Sequence, residues 1–363
     1  MKVLIVGAGP IGCYTAQLIK RKSKAHEVHL IEEHAEIGRP VHCAGLVSKD
    51  VFSEMKVGID NATVINRIDG AEFFLDGKSF SIRRQDVACV IDRAQFDAAL
   101  GEGLHVDFNT KFVGIEQHNG GFLIETDKGE FYADVLIGAD GANSSVRKVG
   151  AFREDIEFLR GVQFRIRQRI GGHNFVRVYL RKPFFAWVIP ESAEIVRVGI
   201  ISRSPYHDLA EFLKEVRIDG EIIEKFGGLV PLGECQSQQG NVILVGDAAC
   251  QVKPLTHGGI YYGMRCAEVL ADCLCTDTLH EYEKRWRQKF NKEIRIGLKV
   301  RRIFERLSFN AMEEVFCLFR EHADILEQYG DFENHSKVIS ALVKNPRLQT
   351  LFGKILINII KDV

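Results

Sequence analysis

KVLIVGAGPIGCYTAQLIKRK (2–22) followed by EVHLIEE (27–33) leaves this chain few ways to begin folding. A short apolar run ends in a glycine turn, apolar residues then recur at helical spacing, and a second apolar run follows. Parallel strands need a crossover and a helix supplies it, so the stretch predicts a βαβ unit. In the turn GAGPIG, Gly7 permits the tight bend, Gly9 lets backbone approach a pyrophosphate, and Gly12 lets helix and strand pack closely. The helix start adds amides and a partial positive charge. Glu32, 20 residues beyond Gly12, stands where a carboxylate accepts ribose hydroxyls. Together they predict a dinucleotide site.

FYADVLIGADG (131–141) and GNVILVGDAA (240–249) repeat the pattern of apolar strand and Gly/Asp turn. Three such strand ends, far apart in sequence, predict one discontinuous Rossmann-like domain over 1–70, 85–157 and 228–280. Between them, AEFFLDGKSFSIRRQDVACV (71–90) and 158–202 alternate apolar and polar residues with DG and GG turns. They predict an antiparallel-sheet substrate domain over 71–84 and 158–227. From about 264 onward helical spacing dominates, and 281–363 is expected as a C-terminal helical region. The expected class is α/β.

Lysine plus arginine (48) balances aspartate plus glutamate (49), which excludes a global field that recruits nucleic acid. No apolar run approaches the length of a spanning helix, so the expectation is a cytoplasmic protein with at most peripheral membrane contact. Nine cysteines, an odd and scattered set, read as reduced thiols. Cys266, Cys273 and Cys275, with His257 or His280, lack the paired spacing of a structural zinc site, and no metal is expected.

GADGANSSVRK (138–148) and VGDAACQVKPLTHGGIYYGM (245–264) resemble two further fingerprints of the flavoprotein hydroxylase and geranylgeranyl reductase superfamily, whose fold is p-hydroxybenzoate hydroxylase-like. Asp140, Gly141, Ser144 and Arg147 carry the first match; Gly246, Asp247, Pro254, Gly258, Gly259 and Ile260 carry the second. The resemblance implies FAD, with Asp247 accepting from a ribityl hydroxyl and the amides at 258–260 facing the flavin's pyrimidine side. It also implies that Arg93 in VIDRAQFDAAL contacts the cofactor's phosphate side, and that Phe112 brings backbone to the adenine. Arg39, Cys43 and Ala44 complete the implied cofactor set.

RPVHCAG (39–45) resembles the Pro-x-x-Cys-x-Gly loop of geranylgeranyl reductases, with Pro40, Cys43 and Gly45 carrying the match. KPFFAWVIP (182–190) is similar to the reductases' aromatic-x-Trp-x-x-Pro signature, and period two puts Phe185, Trp187 and Ile189 on one face, an apolar wall for a long hydrocarbon. The implied activity is an FAD-dependent reductase of prenyl carbon–carbon double bonds. Cys43 is then a candidate proton donor and His42 a candidate relay; close cofactor packing is the competing role for Cys43, and plain solvation for His42. A flavin monooxygenase of aromatic or polyketide substrates and a non-catalytic prenyl-lipid carrier are the rival readings. NAD(P)H, ferredoxin and a deazaflavin all stay open as electron donor. Residues 284–306 hold ten lysines and arginines against Glu293 and Glu305, with Trp286, Phe290, Ile294 and Leu298 on one helical face. A core-covering helix with a solvated face is the favoured reading there, and a lipid-contacting helix the alternative.

Overall fold

The structure, a computed structural model, describes residues 1–172, 174–182 and 184–344. The chain forms two compact units. The first comprises Met1–Thr63, Ile91–Leu159 and Leu229–Lys292; the second comprises Val64–Val90, Arg160–Gly228 and the described residues from Glu293 onward.

In the first unit Lys2–Val6 lies at the centre of a sheet, parallel to Glu27–Ile31 on one side and Val135–Gly138 on the other. Val242–Leu244 extends the parallel set beyond Val135–Gly138, and Val106–Asp107 extends it beyond Glu27–Ile31. The unbroken apolar runs follow from burial on both faces: Val3 to Val6, and all of Val135–Gly138, are buried. Helix Pro10–Lys22 follows the first strand, opened by Pro10 and ended by a basic last turn of Lys20, Arg21 and Lys22. Helix Ile260–Cys275 packs against it, and Gly263 makes the approach possible, since a Cβ there would lie 2.8 Å from the Ile11 side chain. Cys266 and Cys273 are core residues of that helix. A three-stranded antiparallel sheet, Phe112–His118, Gly121–Thr126 and Gly129–Ala133, completes the unit.

The second unit is built on a sheet whose strands run in the order Glu221–Cys235, Glu154–Arg167, Ile195–Ile201, Phe185–Pro190, Phe175–Leu180, Val64–Leu75, Lys78–Ile91. The Val64–Leu75 and Lys78–Ile91 strands meet at Asp76-Gly77, both with positive φ (47° and 72°), as a two-residue hairpin turn requires. Helix Pro205–Glu215 covers one sheet face, where Val162, Phe164, Ala186, Val188, Leu209 and Phe212 form the core.

Two expectations need correction. The sheet is not purely antiparallel, because Phe175–Leu180 pairs in parallel with Val64–Leu75. About a hundred residues separate these strands, enough for the crossover that parallel pairing needs. Nor do the described residues of the expected C-terminal helical region, 281–363, all cluster with one unit. Helix Tyr282–Arg306 begins in the first unit, where Trp286 is buried and donates to Ser237 Oγ at 2.8 Å. From Glu293 the chain clusters with the second unit, and Leu307, Met312 and Phe316 pack there with Leu75. No helix among the described residues is long and apolar enough to cross a membrane.

Candidate active site

The glycine turn divides its labour. A Cβ on Gly7, whose φ is +97°, would sit 2.6 Å from the Ala139 carbonyl oxygen, and one on Gly12 would sit 1.9 Å from that of Gly7. A Cβ on Gly9 would meet nothing within 4 Å. Gly7 and Gly12 therefore close the turn, while Gly9 keeps a space open before a helix whose first turn has no side-chain cap. Open space beside uncapped amides suits a phosphate group. Glu32 is fixed next to this turn, accepting from the Ala8 amide at 2.8 Å, the His34 amide at 3.0 Å and His34 Nδ1 at 2.6 Å. Its remaining lone pairs can serve ribose hydroxyls.

The second fingerprint folds as a helix start. Asp140 accepts from the amides of Ser145 (2.7 Å) and Val146 (3.0 Å), and Ser144 accepts from the Arg147 amide (2.9 Å), capping Ser145–Val149. Burial raises the Asp140 pKa against the pull of Ser144 and those amides. Gly141, at φ +74°, leaves open space. Arg147 departs from its expected role as a cofactor contact. Fully buried, it donates to the carbonyls of Ala248 (2.9 Å) and Ala142 (2.8 Å) and pairs with Glu154 at 2.5 Å. It ties the second glycine turn to the third. Phe112, 4 % exposed, likewise commits its side chain to the core with Ile124 and Leu136, leaving only backbone for a ligand.

The third fingerprint begins with the single turn Gly246–Ala249. Gly246 has φ +70°, and a Cβ there would press on Ile11 at 3.1 Å. Pro254 is buried, and the amides of Lys253 and His257 donate to the carbonyls of Gly258 (3.1 Å) and Lys253 (2.9 Å), closing the loop that brings Gly258, Gly259 and Ile260 to the start of the next helix. A Cβ on Gly259 would lie 2.4 Å from Asp247 Oδ1, so any larger residue would cover the carboxylate. Asp247 is hemmed in by protein but keeps part of its surface open. Burial pushes its pKa up to about 6, with the Arg93 guanidinium pulling the other way.

The Pro-x-x-Cys-x-Gly loop is fastened to the same place. Gly38, at φ +81°, packs so closely on the helix Arg93–Gly101 that a Cβ would lie 2.8 Å from the Ala94 carbonyl oxygen. The Ile91 amide donates to the Gly45 carbonyl at 2.8 Å, and the Gly45 amide to Cys43 Sγ at 3.3 Å. Arg93 is held by its own helix. Its Nε and Nη2 donate to Asp97 at 3.1 and 2.8 Å, and Cys43 lies near enough to act on its charge. Burial works against the guanidinium's charge, but Asp97 and Cys43 outweigh it and raise its pKa. Asp97 was not among the expected residues, although its i, i+4 spacing from Arg93 is a legible signal. His42 is exposed, Arg39 is exposed and pairs with Glu36 at 3.6 Å, and Ala44 is half-buried.

In the second unit, Phe185 and Trp187 share one sheet face with ring centroids 5.9 Å apart. Ile189 follows them in period but is buried, and the face is less apolar than expected. Trp187 Nε1 donates to Gln163 Oε1 at 2.8 Å, and Glu191 binds Arg165 and Arg197 at 2.5 and 2.9 Å. Gln163 Nε2 is buried with no hydrogen-bond partner. Trp187 lies directly over Gly199, where a Cβ would come within 2.3 Å of the indole. Gly199→Ala is therefore expected to displace the indole and destabilise the protein by about 1–3 kcal/mol. Denaturant unfolding followed by emission of the two tryptophans checks this; unchanged stability and spectrum would defeat it.

Among known proteins, residues 5–47 match the NAD(P)-binding Rossmann-like domain family. A Methanothrix thermoacetophila digeranylgeranylglycerophospholipid reductase is 31 % identical, over 84 % of this chain and 88 % of the relative. A Methanocaldococcus jannaschii protein described as uncharacterized is 32 % identical over 94 % of this chain and 95 % of its own. A geranylgeranyl bacteriochlorophyll reductase-like structure from Thermoplasma acidophilum superposes with a TM-score of 0.82 at 21 % identity, covering 98 % of both chains, and shares the fold. With cofactor-shaped glycine turns in place and a reductase relative spanning most of its length, the chain belongs to the geranylgeranyl reductase family of FAD-dependent oxidoreductases.

Proposed function

We propose that this enzyme saturates isolated carbon–carbon double bonds in the geranylgeranyl or related prenyl chains of a membrane-lipid precursor. One observation supports the reading above the rest: a digeranylgeranylglycerophospholipid reductase is 31 % identical over 84 % of this chain, and the Pro-x-x-Cys-x-Gly loop is fastened beside the helix Arg93–Gly101 by the close approach of Gly38 to Ala94 and by the Ile91 amide on the Gly45 carbonyl. Glu32, the Gly9 turn and Asp247 would hold the ribose, pyrophosphate and ribityl parts of FAD. Reduced FAD supplies a hydride when bound.

An isolated alkene accepts hydride poorly, because a carbanion between alkyl groups is unstabilised, so a proton must be delivered alongside. Cys43 Sγ is the group for that task, since the Gly45 amide, donating to it at 3.3 Å, fixes its direction. His42, exposed beside it, can return a proton from solvent. Trp187 and Phe185 would line the hydrocarbon's path. The electron donor is expected among NAD(P)H, ferredoxin and deazaflavin.

Anaerobic incubation of reduced enzyme with geranylgeranyl lipids, followed by mass spectrometry, is expected to show gain of hydrogen pairs. Cys43→Ala should retain FAD and lose about a hundredfold or more in turnover, the usual worth of a positioned acid. Strict dependence on oxygen with an aromatic substrate would defeat the reductase reading; undiminished turnover in Cys43→Ala would remove the cysteine from it.

A further inference from the structure

Beyond Lys292, the helix Tyr282–Arg306 sorts its charges by face. Ile294 and Arg301 are buried, and Arg301 lies over the Phe184 ring at 4.4 Å. Glu305 pairs with Arg301 at 2.6 Å, and Glu293 accepts from the Ser336 amide at 3.1 Å. Both acids of this half are thus engaged by protein groups. Arg295, Lys299, Arg302 and Arg306 are exposed. Spaced by four, three and four residues, they fall within about 60° of one another on a helix that turns about 100° per residue. Ile303, 40 % exposed, borders this stripe, and Phe309, 49 % exposed, opens the next helix just beyond its end.

A solvated outer face accounts for the cations alone. It gives no reason for two large apolar side chains, six residues apart, to stand in solvent at the end of the stripe. Cations beside exposed apolar tips are what an anionic bilayer rewards: headgroups take the charges and the acyl boundary takes the apolar groups. An acidic protein would match the charges but offers less to the apolar pair.

We propose that the Arg295–Lys299–Arg302–Arg306 stripe, with Ile303 and Phe309, is a docking face for an anionic lipid surface. It deepens the prenyl-lipid reading, since a substrate with long hydrocarbon chains resides in a bilayer, and it supplies the place where the enzyme meets it. FAD-loaded full-length protein should co-sediment with phosphatidylcholine vesicles only when about a third of the lipid is phosphatidylglycerol, and less as salt rises. Lys299→Glu with Arg302→Glu and Arg306→Glu should weaken binding by about a hundredfold or more, since each cation near such a surface contributes about fivefold and each glutamate is repelled by it. Ile303→Ser with Phe309→Ser should remove the part of the binding that survives high salt.

Both variants should keep wild-type FAD content and wild-type turnover of detergent-dispersed prenyl lipid. Loss of that turnover in the wild type with vesicle binding intact would defeat the reductase reading and leave the docking face standing. Wild-type protein that ignores anionic vesicles, binding that survives the triple reversal, or charge-dependent capture of an acidic ferredoxin without vesicle binding would overturn the docking face.

Discussion

Asp247→Asn is expected to make the apoprotein more stable at pH 7 by about 2–3 kcal/mol and to weaken FAD binding by tenfold to a hundredfold. The stability gain follows from burial. Folding pushes the Asp247 carboxyl from 3.8 up to about 6, so the folded chain holds this proton more tightly than the unfolded one. A raised carboxyl pKa costs nothing below the unfolded value, where both states are protonated. The cost grows between about pH 4 and 6 and is complete above, at about 1.36 kcal/mol for each pH unit of difference. Wild-type apoprotein should therefore lose stability relative to Asp247→Asn as pH rises through this window. Comparing the two proteins at each pH isolates the effect, because Asp331 and Glu191, both held below their ordinary range, act with the opposite sign in each.

The binding loss has the opposite origin. A carboxylate kept in so unfavourable a setting, with Gly259 leaving it uncovered, is matched to a hydroxyl that donates to it, and hydrogen bonds to charged groups contribute about 1.5–3 kcal/mol. Asparagine keeps an acceptor but loses the charge. Denaturant unfolding of apoprotein between pH 4 and 8, with flavin fluorescence titration, measures both effects. A variant less stable than wild type at pH 7, or one with unchanged FAD affinity, would show that the carboxylate has a structural partner instead.

The parts of the site that were legible in the sequence are those whose geometry is local. A strand, a glycine turn and a helix within about twenty residues determine where Gly7, Gly9 and Gly12 stand, and the end of the next strand determines Glu32. Arg147 shows the limit of that legibility. Its fingerprint is readable, but whether the side chain meets a ligand or the interior depends on the Ala248 carbonyl, 101 residues away. The same holds for the loop that carries Cys43, since Gly38 packs it against the Ala94 carbonyl, 56 residues later in the chain. Parallel pairing of Phe175–Leu180 with Val64–Leu75 was illegible for a related reason: alternation reports which face is buried and carries no record of strand direction. The periodicity of the basic helix was readable, and Trp286 and Ile294 are buried as its apolar face requires, yet the division of its acids from its cations depends on Phe184 and Ser336.

Gly9→Val and Gly12→Ala should fail in different ways, although both alter the same six-residue motif. At Gly9 the backbone has φ −71°, which any residue adopts, and a Cβ would project into open space, so the variant should fold with near wild-type stability. That space is where the helix amides would meet a pyrophosphate, and filling it should cost about a hundredfold or more in FAD affinity, the equivalent of one to two charge-assisted hydrogen bonds. At Gly12 a Cβ would stand 1.9 Å from the Gly7 carbonyl oxygen, a backbone atom with no rotamer to change. The first turn of the helix must then move off the central strand, and about 3 kcal/mol or more of stability should go with it. Thermal unfolding of the apoproteins separates the two, and a fluorescence titration with FAD completes the comparison. A Gly9→Val protein that binds FAD normally would remove the pyrophosphate from this turn, and a Gly12→Ala protein of normal stability would mean the strand and helix tolerate a wider gap than their packing implies.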